Sequence, residues 1–88
     1  MTAITKLTHR FSEADIEEEI VVMRLDTGDF YAMTGTGATI WRMIDGSRTR
    51  EDLTRLLAEE YDSNGVRLSD DVDRYLDELE RYGLIAYA

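Results

Sequence analysis

The side chains able to do chemistry are few and poorly placed for it. Cysteine is absent and His9 is the only histidine, whereas nucleophilic catalysis needs a Ser, Cys or Thr beside a base and an orienting group. A catalytic triad is thereby excluded. His9 alternates with Leu7 and Phe11 on a short predicted strand and reads as a partly buried structural histidine. Paired carboxylates can divide acid and base roles between them, but Glu17-Glu18-Glu19, Asp70-Asp71 and Asp77-Glu78 read as solvated faces or as acids matched to helix N-termini. Asp62-Ser63-Asn64 resembles the start of a calcium loop, yet Val66 stands at a ligand position and Arg67 at the obligatory Gly position. Gly35 and Gly37 open a helix after a strand, where phosphate loops occur, but no Lys or third Gly follows and helix capping explains them better. A carrier protein would need an apolar helix start after Asp62-Ser63, and Asn64-Gly65 stands there instead. The residues point to no enzyme, no cofactor and no metal.

The elements that would position a binding site must come from one modest core. A chain of 88 residues hides only about 60–65% of its unfolded surface, and with no cysteine and a lone histidine it has neither a disulfide nor a zinc staple. A hydrophobic content of 43% is ample for folding. Nineteen acidic against ten basic side chains give a net charge of −9, which repels nucleic acid and anionic membrane surfaces. The longest apolar run, Ile20 to Met23, is far short of a membrane span. With no signal-peptide pattern at the N-terminus, a cytoplasmic location is expected.

Residues 1–6 show no periodicity and read as a loose end of a single domain. Leu7 to Ser12 reads as a short strand, and Ile20 to Leu25 as a convincing one, rich in β-branched side chains. Asp26-Thr27-Gly28-Asp29 is a hairpin signal, because Gly accepts positive φ without penalty. Phe30-Tyr31-Ala32-Met33 then returns as a strand paired with Ile20 to Leu25, and since helical spacing follows, its other side is left open. Thr34 or Thr36 caps a first helix through Ile44, ended at Asp45-Gly46, with Ile40, Trp41 and Ile44 on one face. Thr49 and Asp52 form a capping box for a second helix to about Tyr61, with the stripe Leu53, Leu56, Leu57 and Tyr61. Asp62 to Leu68 reads as a connector, and Ser69 caps a third helix through Tyr82, ended by Gly83. Val72, Tyr75, Leu76 and Leu79 are its apolar stripe. The fold class is α+β: a winged-helix-like, three-stranded antiparallel ribbon or sheet followed by a three-helix bundle.

The order of these pieces resembles the PqqD family. The likeness rests on Leu25-Asp26-Thr27-Gly28-Asp29-Phe30-Tyr31-Ala32-Met33 and Thr36-Gly37-Ala38-Thr39-Ile40-Trp41-Arg42-Met43-Ile44-Asp45-Gly46. It continues through Arg48 to Leu53 and Leu57 to Asp62, and closes with Val72 to Leu79 before Gly83-Leu84-Ile85, so that it runs from about Ile20 to Ile85. Family members often carry Asn where Thr34 stands and an acid near Gly35. The resemblance implies a recognition element that binds the leader segment of a ribosomally made precursor peptide and presents it to modifying enzymes or a leader peptidase. Such a leader looks like an added strand, and the open edge at Asp29, Phe30, Tyr31, Ala32 and Met33 offers the backbone groups it needs.

Selectivity is then expected from the groove between that edge and the third helix, with Val72, Asp73, Tyr75, Leu76 and Leu79 contributing. Asp73, Asp77 and Glu80 on its rim would draw basic leader residues. A stripe at Val72, Tyr75, Leu76 and Leu79 is also what any core-facing helix shows, and Tyr75 is the best candidate for exposure to the groove. Phe30 and Tyr31 fall on opposite faces of the strand, and the pattern leaves open which meets the helices. The same edge would also serve a homodimer. Two other readings compete. A winged-helix DNA-binding regulator is opposed by Asp73, Asp77, Glu78 and Glu80 on the would-be reading helix; a structural accessory subunit of an enzyme would use the apolar face without binding peptide.

Overall fold

The computed structural model describes residues 2–61 and 65–87. In chain order the elements are β1 (Ile4–Lys6), a 3-10 turn (Thr8–Arg10), β2 (Phe11–Ile16), β3 (Glu19–Arg24), β4 (Phe30–Met33), α1 (Gly35–Met43), α2 (Arg50–Tyr61), α3 (Gly65–Arg81) and β5 (Ile85–Tyr87). Strands β2, β3 and β4 form a three-stranded antiparallel sheet in that order, with the three helices packed on one side of it. This is the expected α+β, winged-helix-like arrangement.

Ile20 and Val22 on β3 drive the sheet into the core, where both are wholly buried. Their register partners are Met33 and Tyr31 on β4, and Asp15 and Glu13 on β2. The β3–β4 reversal is the expected one: Gly28 takes φ 77°, its N–H bonds the carbonyl of Arg24 at 2.8 Å, and the N–H of Arg24 bonds the carbonyl of Asp29 at 2.9 Å. The β2–β3 reversal is not. The strand expected over Leu7 to Ser12 begins only at Phe11, and Ile16 pairs with Glu19 across the two-residue turn Glu17-Glu18. Glu17 there adopts φ 59°, a conformation that favours glycine. The 3-10 turn is closed by Arg10 N–H on the Leu7 carbonyl at 2.9 Å and leaves His9 exposed, not partly buried, because the polar residues around it have no apolar face to present.

Helix α1 begins after Thr34, whose side chain makes no capping bond, and stops before Gly46 at φ 88°. The capping box of α2 forms as expected: Thr49 N–H donates to Asp52 Oδ2 at 2.9 Å, and Asp52 N–H donates to Thr49 Oγ1 at 3.2 Å. Helix α3 departs from expectation by starting at Gly65, so that part of the predicted connector is helical and Ser69 lies inside the helix. Leu68 explains the extra turn: it packs on the core one turn before Val72. At the far end the Gly83 N–H bonds the Glu80 carbonyl and the Leu84 N–H bonds the Leu79 carbonyl, at 3.0 and 3.1 Å, with Gly83 at φ 75°. That is a complete Schellman closure. Asp62-Ser63-Asn64, weighed above as a calcium or carrier loop, lies outside the described residues, as do the side chains of Tyr61, Val66 and Arg67.

The N-terminus corrects a further expectation. Residues 4–6 are not loose: β1 pairs antiparallel with β5, Ile4 opposite Tyr87 and Lys6 opposite Ile85. Ile4 is wholly buried, its N–H bonds the Arg48 carbonyl at 2.9 Å, and its carbonyl accepts from the Gly46 N–H at 3.0 Å. Trp41, Leu53, Leu57, Val72, Leu76 and Leu84 complete a core with no solvent exposure. Among the described residues no helix is long and apolar enough to cross a membrane.

Candidate functional site

The sheet has two outer edges of opposite character. Along β2, Glu13 and Asp15 share a face with Val22 and Ile20, so two acids point toward the helix side of the sheet. Asp15 meets Arg42 of α1 at 3.3 Å, and Glu13 lies near Lys6, whose ammonium sits 4.4 Å above the Trp41 ring. Inward-pointing charges of this kind keep an edge from pairing with a foreign strand. Strand β4 carries Phe30, Tyr31, Ala32 and Met33, with no charge and, among the described residues, no strand on its far side.

Beside that bare edge runs helix α3, and between them lies a groove of about 340 Å³. Its walls are the four β4 residues on one side and Tyr75, Glu78, Leu79 and Tyr82 on the other. The question of facing is resolved by register. Met33 is buried opposite Ile20, and Tyr31, on the same face, stacks on Tyr82 with ring centroids 4.5 Å apart and planes 23° from parallel. Phe30 and Ala32 therefore point to the outer sheet face, where Phe30 is 69% exposed.

One end of the groove is fixed by Arg24. Its Nη1 donates to the Tyr82 carbonyl at 3.0 Å and its Nη2 contacts Asp26 at 2.5 Å, which ties β3 to the C-terminus of α3. A cation suits the carbonyl-rich end of a helix. Gly83 eases this approach: it takes φ 75°, and a Cβ there would press on Arg24 Nη1 at 3.1 Å. The other end is bounded by Tyr75, whose hydroxyl is shut off from solvent and, among the described residues, has no hydrogen-bond partner. Burial, helped by the nearby Glu78 charge, pushes the Tyr75 hydroxyl up to about 12, so it keeps its proton and can only gain from an acceptor.

Of the expected site residues, the structure brings Phe30, Tyr31, Ala32, Met33, Tyr75 and Leu79 together in the groove. Asp29 stands just before it in the exposed turn. Three expectations are corrected. Val72 and Leu76 have no solvent exposure and belong to the core, so neither lines the β4–α3 groove. Asp73 is turned toward α2, where it and Asp77 pair with Arg50 at 3.1 and 3.0 Å. Arg50 in turn bonds the Tyr87 hydroxyl. Of the acids on α3 it is Glu78, not Asp73, Asp77 or Glu80, that lines the groove, and among the described residues it has no cationic partner. Glu78 and Tyr82 were missed because the stripe was drawn through its buried centre; positions three and seven beyond Tyr75 fall on the same flank and were the available signal.

The arrangement can hold an extended chain and discriminate among its side chains. Among the described residues no group of His, Cys, Asp and Glu is gathered as a metal site. A protein-family model, Coenzyme PQQ synthesis protein D (PqqD), matches residues 19–85, from the start of β3 into β5 and so including the whole groove. No curated protein matches the chain. Among solved structures, TbiB1 in complex with the TbiA(beta) leader peptide matches with a TM-score of 0.84 at 24% identity, over 96% of this chain and 99% of that one. At that identity the likeness speaks for the fold.

Proposed function

The chain belongs to the PqqD family, and from that premise we propose that it captures the leader segment of a ribosomally made precursor peptide as an added strand along β4 and holds it for modifying enzymes or a leader peptidase. The observation that carries this reading is the uncharged β4 edge, unpaired among the described residues, beside the α3 groove. TbiB1, which shares the fold, is a protein in complex with a leader peptide. The role is binding, with the chemistry left to the partner enzyme.

Magnitudes divide the labour. An edge four residues long offers on the order of four backbone bonds at ~0.5–1.5 kcal/mol each, or ~4 kcal/mol in all. A micromolar complex needs ~8 kcal/mol. The remainder must come from side chains laid into the groove against Tyr31, Tyr75, Leu79 and Tyr82, at ~25 cal/mol per Å² of apolar area buried. Backbone pairing is blind to sequence, so the groove supplies the choice, and Glu78 favours a basic residue on the strand that passes it. A second copy pairing along β4 would compete for the same edge, so peptide would dissolve any such dimer.

The test is titration of a synthetic leader, taken from a short precursor reading frame beside a modifying enzyme, into the isotope-labelled protein. Amide shifts are expected at residues 29–33 and at Tyr75, Glu78, Leu79 and Tyr82. Shifts confined to β2 or α2 would place the peptide elsewhere and sink this reading.

A further inference from the structure

A second cleft, of about 290 Å³, lies between α1 and α3, and Tyr75 is the residue that lines both it and the β4–α3 groove. The tyrosine is thus the shared wall. Thr36, Gly37 and Asp71 stand at the mouth of this cleft, while its floor is Ile40, Leu57 and Val72, each 3% exposed or less.

The position of the Tyr75 ring is unusual in two ways. Its hydroxyl is buried with no partner among the described residues, and a buried unpaired hydroxyl carries a desolvation cost. Its berth is also tight against residue 37: a Cβ at Gly37 would lie 3.1 Å from the hydroxyl oxygen and 3.2 Å from the adjoining ring carbon, so the ring would have to give by a few tenths of an ångström. Gly inside a helix is itself unfavourable relative to Ala. Two local costs are therefore borne to hold one ring between two clefts. A helical tyrosine has two allowed χ1 wells, so leaving the berth needs a rotamer change and no backbone movement.

Resting on the reading that β4 captures a peptide strand, we infer that Tyr75 is a gate. A captured strand carrying a bulky apolar side chain displaces the ring from Gly37, the α1–α3 cleft joins the groove, and that side chain fills it. The freed hydroxyl then meets an acceptor on the peptide or in water. The class of ligand selected is an extended peptide with a leucine-sized or larger apolar residue at a fixed place; peptides with a small residue there bind with the gate shut.

The test compares the wild-type chain with Tyr75→Phe and Gly37→Ala, using a ribosome-displayed library of random linear peptides as the probe and fluorotyrosine as the reporter. Wild type is expected to enrich sequences with a bulky apolar residue at constant spacing. Tyr75→Phe, relieved of the unpartnered hydroxyl, stays shut and binds those sequences about tenfold more weakly. Gly37→Ala fills the berth and binds the bulky sequences at least as well as wild type. The fluorine resonance missing from Tyr75→Phe should move when a selected peptide is added, and move without peptide in Gly37→Ala. Should Gly37→Ala fail to fold, the near-isosteric Tyr75→Phe and the fluorine signal of wild type suffice. Equal affinities and preferences in wild type and Tyr75→Phe, with a Tyr75 resonance unmoved by peptide, overturn the gate and leave peptide capture standing. Enrichment of no peptide by wild type overturns capture itself and the gate with it.

Discussion

The two borders of the one sheet are built to opposite specifications. Strand β2 turns Glu13 and Asp15 toward the helix side, where an incoming strand would have to share its face with two carboxylates. Strand β4, the same distance from β3 on the other flank, presents Phe30, Tyr31, Ala32 and Met33 without a single charge. Bare edges are a hazard that soluble proteins blunt. A chain that guards one border and leaves the other bare shows that the guard was available, and the bare border lies against the groove walled by α3.

The comparison can be broken most sharply by giving β4 the guard of β2. Tyr31→Glu places an acid on the same face as Val22 and removes the stack on Tyr82, so leader affinity should fall about a hundredfold, ~2.7 kcal/mol. Calorimetric titration reads the loss, and a cooperative thermal transition shows that the fold survives. The reverse experiment strips the guard: Glu13→Val with Asp15→Val should raise self-association about tenfold, read by sedimentation equilibrium. A double variant that stays as monomeric as its parent would show that these acids guard nothing. Glu78→Gln removes the groove charge and should weaken a leader with a basic residue only a few-fold, about 0.5–1 kcal/mol, with most of the change in the association rate and its salt dependence.

Acid is expected to act on the fold. Asp45 is held below its usual value of 3.8 chiefly by the Ser47 N–H, and Asp52 by the Thr49 N–H. Both carboxylates lose protons more readily folded than unfolded, so their stabilisation is complete above about pH 4 and disappears as pH falls through the folded values. Denaturant midpoints should therefore be level near neutrality and decline only at strongly acid pH. Leader affinity should be flat over the mildly alkaline range, since the Tyr75 hydroxyl titrates only at about 12.

Much of this was legible in the sequence because the informative residues sit close together along the chain. The β3–β4 hairpin follows from β-branched residues around Gly28, and α2 from Thr49 and Asp52; both are short-range patterns. The bare β4 edge was legible for the same reason, since a strand followed directly by helical spacing leaves a side unpaired. Pairings between distant segments were not. Ile4–Lys6 and Ile85–Tyr87 are three residues each, too short for a period to show, and each needs the opposite end of the chain as partner. The Glu17-Glu18 turn was hidden because neither residue is a turn former, although Glu17 adopts a glycine-like conformation. Asp73 was misplaced because Arg50, on another helix, decides which way it turns. Arg24 read as an interruption of an apolar strand and is instead the clasp on the end of α3.

The β1–β5 ribbon has a mechanical consequence. Ile4 lies opposite Tyr87 and Lys6 opposite Ile85, so a load applied through the two chain ends enters at one end of the ladder and parts its bonds in succession, as a zipper opens, instead of shearing them together. A pulling experiment on this chain should meet low resistance at first, and the sheet that carries the β4 edge should be reached only after those short strands have come apart.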